Sequence, residues 1–432
     1  MKKAASFALG CKVNQYESEA IAELFAEKGY EIVGIDEEAD VYVINTCTVT
    51  NFGDKKSRQL IRKVKRQNEN AIVAVVGCYA QTAPQELVKV EGVNLVIGTK
   101  DRAQIVEMVE NYKTENGVEN HVSDIMKERV FEPLSIQKLA NRTRAYLKIQ
   151  DGCSQYCSYC IIPYARGPIR SRDPQDVIAE VKRLAENGFK EVVLTGIHVA
   201  SYGKDRRDTS LLEILRQVHA VEGIERIRFS SIEPNVVTEE FAKAIAEMPK
   251  VCDHFHLSLQ SGCDKTLKEM NRKYDTEKYR QAAATLRKYL PEVALTTDII
   301  AGFPGETEED FQASYDFAKE IGFAKIHAFP YSPKKGTPAA ARKDQLLNAV
   351  KAERSHRLIE LSDKMADDFI QAYVGKEVEV LYERAVGEGV YEGHTTNYIK
   401  VQGTSEKDLT NVICRTKITK AENEELFGAA EA

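Results

Sequence analysis

At 432 residues the chain is longer than one hydrophobic core usually serves, so two or three domains are expected. A hydrophobic fraction of 43% and a charged fraction of 29% are those of a globular protein, and no apolar run approaches the roughly 20 residues of a membrane span, so no membrane partner is expected. A formal net charge of −6 excludes a global basic field, and any nucleic-acid contact must come from local patches.

The N-terminus, MKKAASFALGCKVNQYESE, turns polar within about ten residues and lacks the apolar core of a signal peptide. A cytoplasmic chain is therefore expected, where thiols stay reduced. Nine cysteines in that setting favour metal ligation or catalysis over disulfides.

The first segment alternates strands with helices. Lys3–Leu9, Val41–Asn45, Ile72–Val76 and Asn94–Ile97 read as strands, and Tyr16–Lys28, Lys55–Gln67 and Leu87–Val90 as helical. That alternation predicts a parallel sheet with helices on both faces. Cys11, Cys47 and Cys78 each fall just beyond the carboxyl end of a strand. Those ends share one edge, where open α/β sheets bind ligands, so three distant cysteines can converge. Each alone could be an ordinary buried thiol. The helix after Cys47 carries Lys55, Lys56, Arg58 and Arg62 among other bases, either a solvated face or a phosphate-facing surface. Asn111–Lys138 is polar and mixed, as in a linker.

Six β/α units follow. Their strands are Arg144–Gln150, Glu191–Thr195, Arg226–Ser230, His254–Gln260, Ala294–Ile300 and Lys325–Phe329. Apolar strands and short connections predict a parallel sheet curled into an open (β/α)6 partial TIM barrel, two units short of closure. Catalytic groups on such a sheet sit past the strand ends. There lie the loop DGCSQYCSYC with Cys153, Cys157 and Cys160, and beyond it Gly196, Ser231, Glu233, Gln260 and Asp298. Small and polar rim residues are also what loops ordinarily contain. After Tyr373 short β runs and glycine turns, Glu377–Tyr382, Gly389–Gly393, Tyr398–Val401 and Leu409–Arg415, predict a small all-β OB-like barrel. The expected domains are 1–135, 136–370 and 371–432.

Three thiolates leave an inorganic site one ligand short. Zinc in a structural site takes four protein ligands, and no nearby fourth Cys or His completes the set; His198 is a candidate by rim position, where a loop histidine is more often satisfied by hydrogen bonds. A redox pair from Cys157 and Cys160 would leave Cys153 superfluous. A 4Fe–4S cluster on three cysteines keeps one iron open to a ligand, which suits the count best.

CxxxCxxC, with Tyr159 before its last cysteine and placed after the first strand of an incomplete barrel, resembles the radical S-adenosylmethionine (SAM) superfamily. With RGPIRSR, SSIEP, LSLQSG and three upstream cysteines, the chain resembles the methylthiotransferase family nearly end to end. ALGCKVNQYESE and INTCTVTNFGDKKSRQ are similar to the type that acts on N6-threonylcarbamoyladenosine at tRNA position 37. Sister types act on isopentenyladenosine tRNA or on a ribosomal protein. A cluster-bearing RNA-binding or redox-sensing module without catalysis is the reading of another class.

The resemblance implies two 4Fe–4S clusters. Cys153, Cys157 and Cys160 would hold the one whose open iron chelates SAM, and Cys11, Cys47 and Cys78 an auxiliary one carrying the sulfur to be inserted. It implies radical activation of the adenine C2–H, which resists polar attack, and a second SAM as methyl donor. Tyr159, Gly196, Ser231, Glu233, Gln260 and Asp298 would line the SAM pocket. The partners implied are the tRNA anticodon stem-loop, a one-electron reductant such as a flavodoxin or ferredoxin, and a sulfur donor. The C-terminal barrel takes the place of the family's RNA-binding TRAM domain, where Tyr391, His394 and Tyr398 could stack on bases and Lys400 and Arg415 meet phosphate. Further candidates for RNA contact are Arg142, Arg144, Arg166, Arg170, Arg172, Lys334 and Lys335.

Overall fold

Val41–Thr46 is buried at all six positions, as a strand covered on both faces must be. In the computed structural model, which describes residues 1–136 and 143–431, it is central strand β3 of a six-stranded parallel sheet. The others are β1 (Lys3–Ala8), β2 (Glu31–Ile32), β4 (Ile72–Gly77), β5 (Leu95–Val96) and β6 (Glu119–Asn120), in the order β2-β1-β3-β4-β5-β6. One face packs on Ile61, Val64 and Leu87, the other on Ile21, Phe25 and Ile105. The adjacent β1, β3 and β4 end at one edge, and Cys11, Cys47 and Cys78 follow them. The stretch expected as a linker supplies β6, an edge strand.

The second unit is built from β7 (Arg144–Asp151), β8 (Arg170–Ser171), β9 (Glu191–Gly196), β10 (Arg226–Phe229), β11 (His254–His256), β12 (Ala294–Ala301) and β13 (Lys325–Pro330). They pair as β10-β9-β7-β8 and β11-β12-β13, and single bridges such as Ile232 to Leu257 join β10 to β11. Six parallel strands thus form an open curl, with β8 antiparallel on its first edge. Helices cover its outside through one continuous apolar core that includes Val177, Leu215, Ile245, Leu286 and Phe317. One element escapes the sequence reading. Asn348–Gln371 is a 24-residue helix packed on β13, and its mixed charge hides a narrow buried stripe of Leu358, Leu361, Ala366 and Ile370.

The last unit is a closed five-stranded barrel of β14 (Glu377–Gly387), β15 (Val390–Thr395), β16 (Lys400–Thr404), β17 (Ile413–Glu422) and β18 (Glu425–Glu431). β18 was not expected from the sequence. It follows a tight turn in which Asn423 and Glu424 both take positive φ. Arg226 and Arg228 of β10 dock this barrel, donating to His394 O at 2.8 Å and Thr396 O at 2.9 Å. Among the described residues no helix is long and apolar enough to cross a membrane.

Candidate active site: two cysteine trios on facing edges

The loop after β7 is tied down by its backbone. Cys153 N donates to Gly167 O and Ser158 N to Met270 O, both at 3.0 Å. Tyr156 takes a left-handed φ of 51° and Gln260, on the same rim, one of 68°, strained positions for side-chain-bearing residues that gather at functional sites. The amides of Gln155 and Ile162 point at the Cys153 and Cys160 sulfurs. Burial pushes these thiols up, Cys153 to about 11 and Cys160 to about 12. They give up their protons when a metal takes their place.

Arg272 stands beside this loop and has no motif to announce it. Its Nη1 donates to Cys157 Sγ at 3.2 Å and its Nη2 to Glu233 Oε1 at 2.8 Å. Glu233 Oε2 lies 3.1 Å from His198 Nε2. Burial pushes the Glu233 carboxyl up, and His198 and Arg272 more than reverse it. His198 is therefore tied to a carboxylate rather than aimed at the thiols. Gly196 ends β9 where a Cβ would come within 3.0 Å of Gln150. Ser231 is exposed two residues past β10. Asp298 lies inside β12 rather than beyond it, 3.3 Å from His256 Nε2, while Gln260 N donates to Asp298 O at 2.8 Å. Tyr159 Oη is 3.5 Å from Arg272 Nη1.

The second trio is assembled by topology. Gly10, at φ 97°, lets its chain pass so close that a Cβ would stand 2.6 Å from Cys47 Cβ and 2.7 Å from its Sγ. Burial pushes Cys78 up to about 12, Arg166 pulls it down, and Cys11 and Cys47 add to the rise. The three thiols thus lie close enough to feel one another, as do those of the loop trio. Among the described residues no three His, Cys, Asp or Glu side chains close on a single metal ion. A mononuclear zinc site needs its ligands within about 2.3 Å of one ion. A cluster spreads its thiolates over several irons. Three thiols with amide and guanidinium donors aimed at sulfur fit such a cluster.

Between the trios runs a buried ionic network. Arg166, at the end of helix Ile162–Arg166 just past Cys160, donates to Cys78 Sγ at 3.1 Å, Asn14 Oδ1 at 2.6 Å and Glu17 Oε1 at 2.5 Å. Lys148 Nζ bridges Glu17 at 2.7 Å and Asp151 at 2.6 Å, and Arg102 reaches Glu17 at 2.6 Å. Burial alone would raise the Glu17 carboxyl, but Arg102, Arg166 and Lys148 hold it well below the usual range. The first domain and the barrel are joined through these charges.

This network corrects several expectations about RNA. Arg166, Arg170 and Arg172 do not face solvent; Arg170 lies 3.6 Å from Asp151 and Arg172 2.6 Å from Glu180. Lys334 is buried against Asp54. Arg144 pairs with Glu191 at 2.9 Å and also with Glu383. Tyr398 is not a free stacking platform: His254 and His394 stack on it at 5.1 and 4.8 Å, and Arg144 and Arg228 lie over its ring. Lys400 is held between Glu392 at 2.6 Å and Glu425 at 2.8 Å. For each of these cations the neutralising partner comes from another element of the fold. Lys55, Lys56, Arg62 and Lys335 are exposed, Arg415 is exposed 3.8 Å from Glu377, and Arg58 donates to Tyr79 Oη at 2.6 Å. Arg142 lies outside the described residues.

An open β/α barrel with CxxxCxxC past its first strand defines a radical SAM enzyme. Residues 147–318 match the model of the radical SAM superfamily and residues 3–98 that of uncharacterized protein family UPF0004. The chain is 47% identical, over 98% of its length and 94% of the relative's, to the threonylcarbamoyladenosine tRNA methylthiotransferase MtaB of Bacillus subtilis (strain 168). It is 39% identical to the MtaB of Aquifex aeolicus (strain VF5), over 95% of this chain and 99% of that one. With a tRNA-2-methylthio-N(6)-dimethylallyladenosine synthase of Clostridium botulinum (strain Hall) it shares 37% identity over 97% and 95% of the two chains. The chain belongs to the radical SAM methylthiotransferase family. Among solved structures, the radical SAM methyltransferase TsrM of Kitasatospora setae has the same fold, with a TM-score of 0.56 and 18% identity over 79% of this chain and 77% of that one. Superfamily membership implies SAM and a 4Fe–4S cluster as cofactors.

Proposed function

We propose that the chain inserts sulfur and a methyl group at C2 of N6-threonylcarbamoyladenosine at tRNA position 37, giving the 2-methylthio derivative. The observation that carries this reading is the identity with the MtaB enzymes, 47% over 98% of the chain. A second reading, isopentenyladenosine tRNA, draws on the relatives at 37%. The partners are the tRNA anticodon stem-loop, a one-electron reductant of the flavodoxin or ferredoxin class, and a sulfur donor.

In this reading Cys153, Cys157 and Cys160 hold the SAM-binding cluster and Cys11, Cys47 and Cys78 an auxiliary one. Bound together, the clusters and SAM would relay the reductant's electron and supply the radical chemistry and the sulfur that an unactivated C2–H requires. The protein supplies position. Arg272 neutralises the Cys157 side and orients Glu233, and Arg166 does the same between Cys78 and Glu17. Gly196, Ser231, Gln260, Asp298 and Tyr159 form the polar rim that receives SAM. Exposed Lys55, Lys56, Arg62 and Lys335 meet tRNA phosphates. An adenine stacked in the anticodon loop has to be turned out to reach the rim.

Nucleoside analysis of tRNA from a strain lacking the gene tests the substrate. The reading expects the methylthio group to vanish from threonylcarbamoyladenosine and to return on complementation. Loss from isopentenyladenosine alone overturns it.

A further inference from the structure

Below the rim, the lumen of the open barrel holds a cavity of about 450 Å³. Its walls include His254 and His256 of β11, Thr296 of β12, and Lys325 and His327 of β13. Tyr398 and Lys400 of the C-terminal barrel close it, and Ser231 marks its upper edge. Lys12, the residue after Cys11, also lines it. The cavity is thus lined by the residue that follows a sheet-trio cysteine in sequence and by one residue of the rim, Ser231.

Its charges are unevenly matched. Glu424 is taken by Lys325, and Glu425 lies 2.8 Å from Lys400. Lys12 has no such partner. Its Nζ lies over the Tyr146 ring at 5.9 Å, and among the described residues no carboxylate pairs with it. Two further cations, Arg144 and Arg228, lie over the Tyr398 ring that closes the space. His254 and His256 both meet the Thr296 hydroxyl at 3.1 Å, which leaves the buried His254 Nδ1 without a partner. His327 stacks on His256 at 5.8 Å and is exposed to the lumen. An unpaired ammonium and the exposed His327 imidazole lining one half-open cavity form a site for an anion with hydrogen-bonding groups. An apolar substituent would leave both unsatisfied, a cost that discriminates strongly.

We propose that this lumen is the specificity pocket for the N6 substituent of the adenine. Lys12 meets the substituent's carboxylate, and His327 meets its hydroxyl and amide groups. The inference rests on the threonylcarbamoyl reading above and deepens it, because that group carries a carboxylate and the isopentenyl group carries none. Lys12 and His327 are binding residues that set specificity. The order of the chain places one of them next to a cluster cysteine, so reading the substituent and presenting C2 to the sulfur become one act.

The test is equilibrium binding of anticodon stem-loop RNAs to the reconstituted full chain. The loops carry N6-threonylcarbamoyladenosine, its methyl ester, or unmodified adenosine at position 37. The wild type should bind the acid about tenfold more tightly than the ester, and Lys12→Gln should bind the two alike. His327→Leu, distant in sequence from every cluster cysteine, should weaken the acid several-fold with iron content unchanged, and it decides the matter if Lys12→Gln loses iron. A wild type that prefers the acid while Lys12→Gln keeps that full preference and His327→Leu keeps the full affinity overturns the pocket and leaves the substrate reading standing. A wild type that prefers the modified loop over adenosine but ignores the ester overturns the carboxylate contact alone. A wild type that binds all three loops alike overturns the substrate reading itself.

Discussion

The two cysteine trios reach similar chemistry by opposite routes. Cys153, Cys157 and Cys160 lie within one loop, and local backbone bonds shape them. Cys11, Cys47 and Cys78 come from three strands and meet only once the parallel sheet has formed. Each trio has one buried cysteine, Cys78 or Cys157, although Cys11 is exposed; both contain thiols raised by burial, and each receives one arginine. The sources of those arginines differ. Arg272 reaches Cys157 from within the same barrel, whereas Arg166 crosses from the barrel to Cys78 of the first domain. The loop trio therefore needs only its loop, whereas the sheet trio needs the whole parallel sheet of the first domain and takes its arginine from across the domain interface.

The largest effect comes from the loop itself. Cys153→Ala should abolish SAM cleavage under reductant, while Cys78→Ala should keep cleavage and lose the methylthio product; intact cleavage in Cys153→Ala would contradict the assignment. Next, Arg166→Ala leaves Glu17 and Asp151 buried and short of a counter-charge, which costs about 3–5 kcal/mol. Calorimetry should show the two domains melting separately, with iron lost first from the sheet trio. Arg272→Lys keeps the charge but gives up the planar fork that spans Cys157 and Glu233. It should slow turnover about tenfold, roughly 1.4 kcal/mol, and shift the spectrum of the loop cluster while leaving the other unchanged.

The smallest effect is on acid stability. Burial raises the Glu191 carboxyl, and Arg228 and Arg144 more than reverse this, bringing it down to about 2. An unfolded Glu titrates near about 4.3. The ion pair's contribution is therefore complete above that value and is lost as pH falls toward about 2. Melting followed from pH 8 to 5 should show no loss of C-terminal barrel docking through this pair, with loss appearing only below.

Much of this architecture is legible in the sequence because it rests on periodicity. Val41–Thr46 and Ile72–Gly77 announce buried parallel strands, and cysteines placed just past them must share an edge. What periodicity does not carry is the fate of a charge. RGPIRSR reads as a basic stretch, yet Arg166, Arg170 and Arg172 are buried because Glu17, Asp151 and Glu180 converge on them from other elements. Tyr398 reads as a stacking residue and is itself stacked upon. Arg272 and Lys12 have no signal beyond their letters, since their roles depend on which sulfur and which cavity the fold sets beside them. The 24-residue helix Asn348–Gln371 is hidden by a buried stripe too narrow for its charged surroundings.

The central claim is that both trios hold a cluster. Iron and sulfide counts with Mössbauer spectra on anaerobically reconstituted wild type and on the variant with Cys11, Cys47 and Cys78 all changed to Ala test it most directly. The account predicts about eight irons per chain in the wild type and about four in the variant, all in the spectrum of the loop cluster. A variant that retains the wild-type iron content, or a wild type with about four, would contradict it.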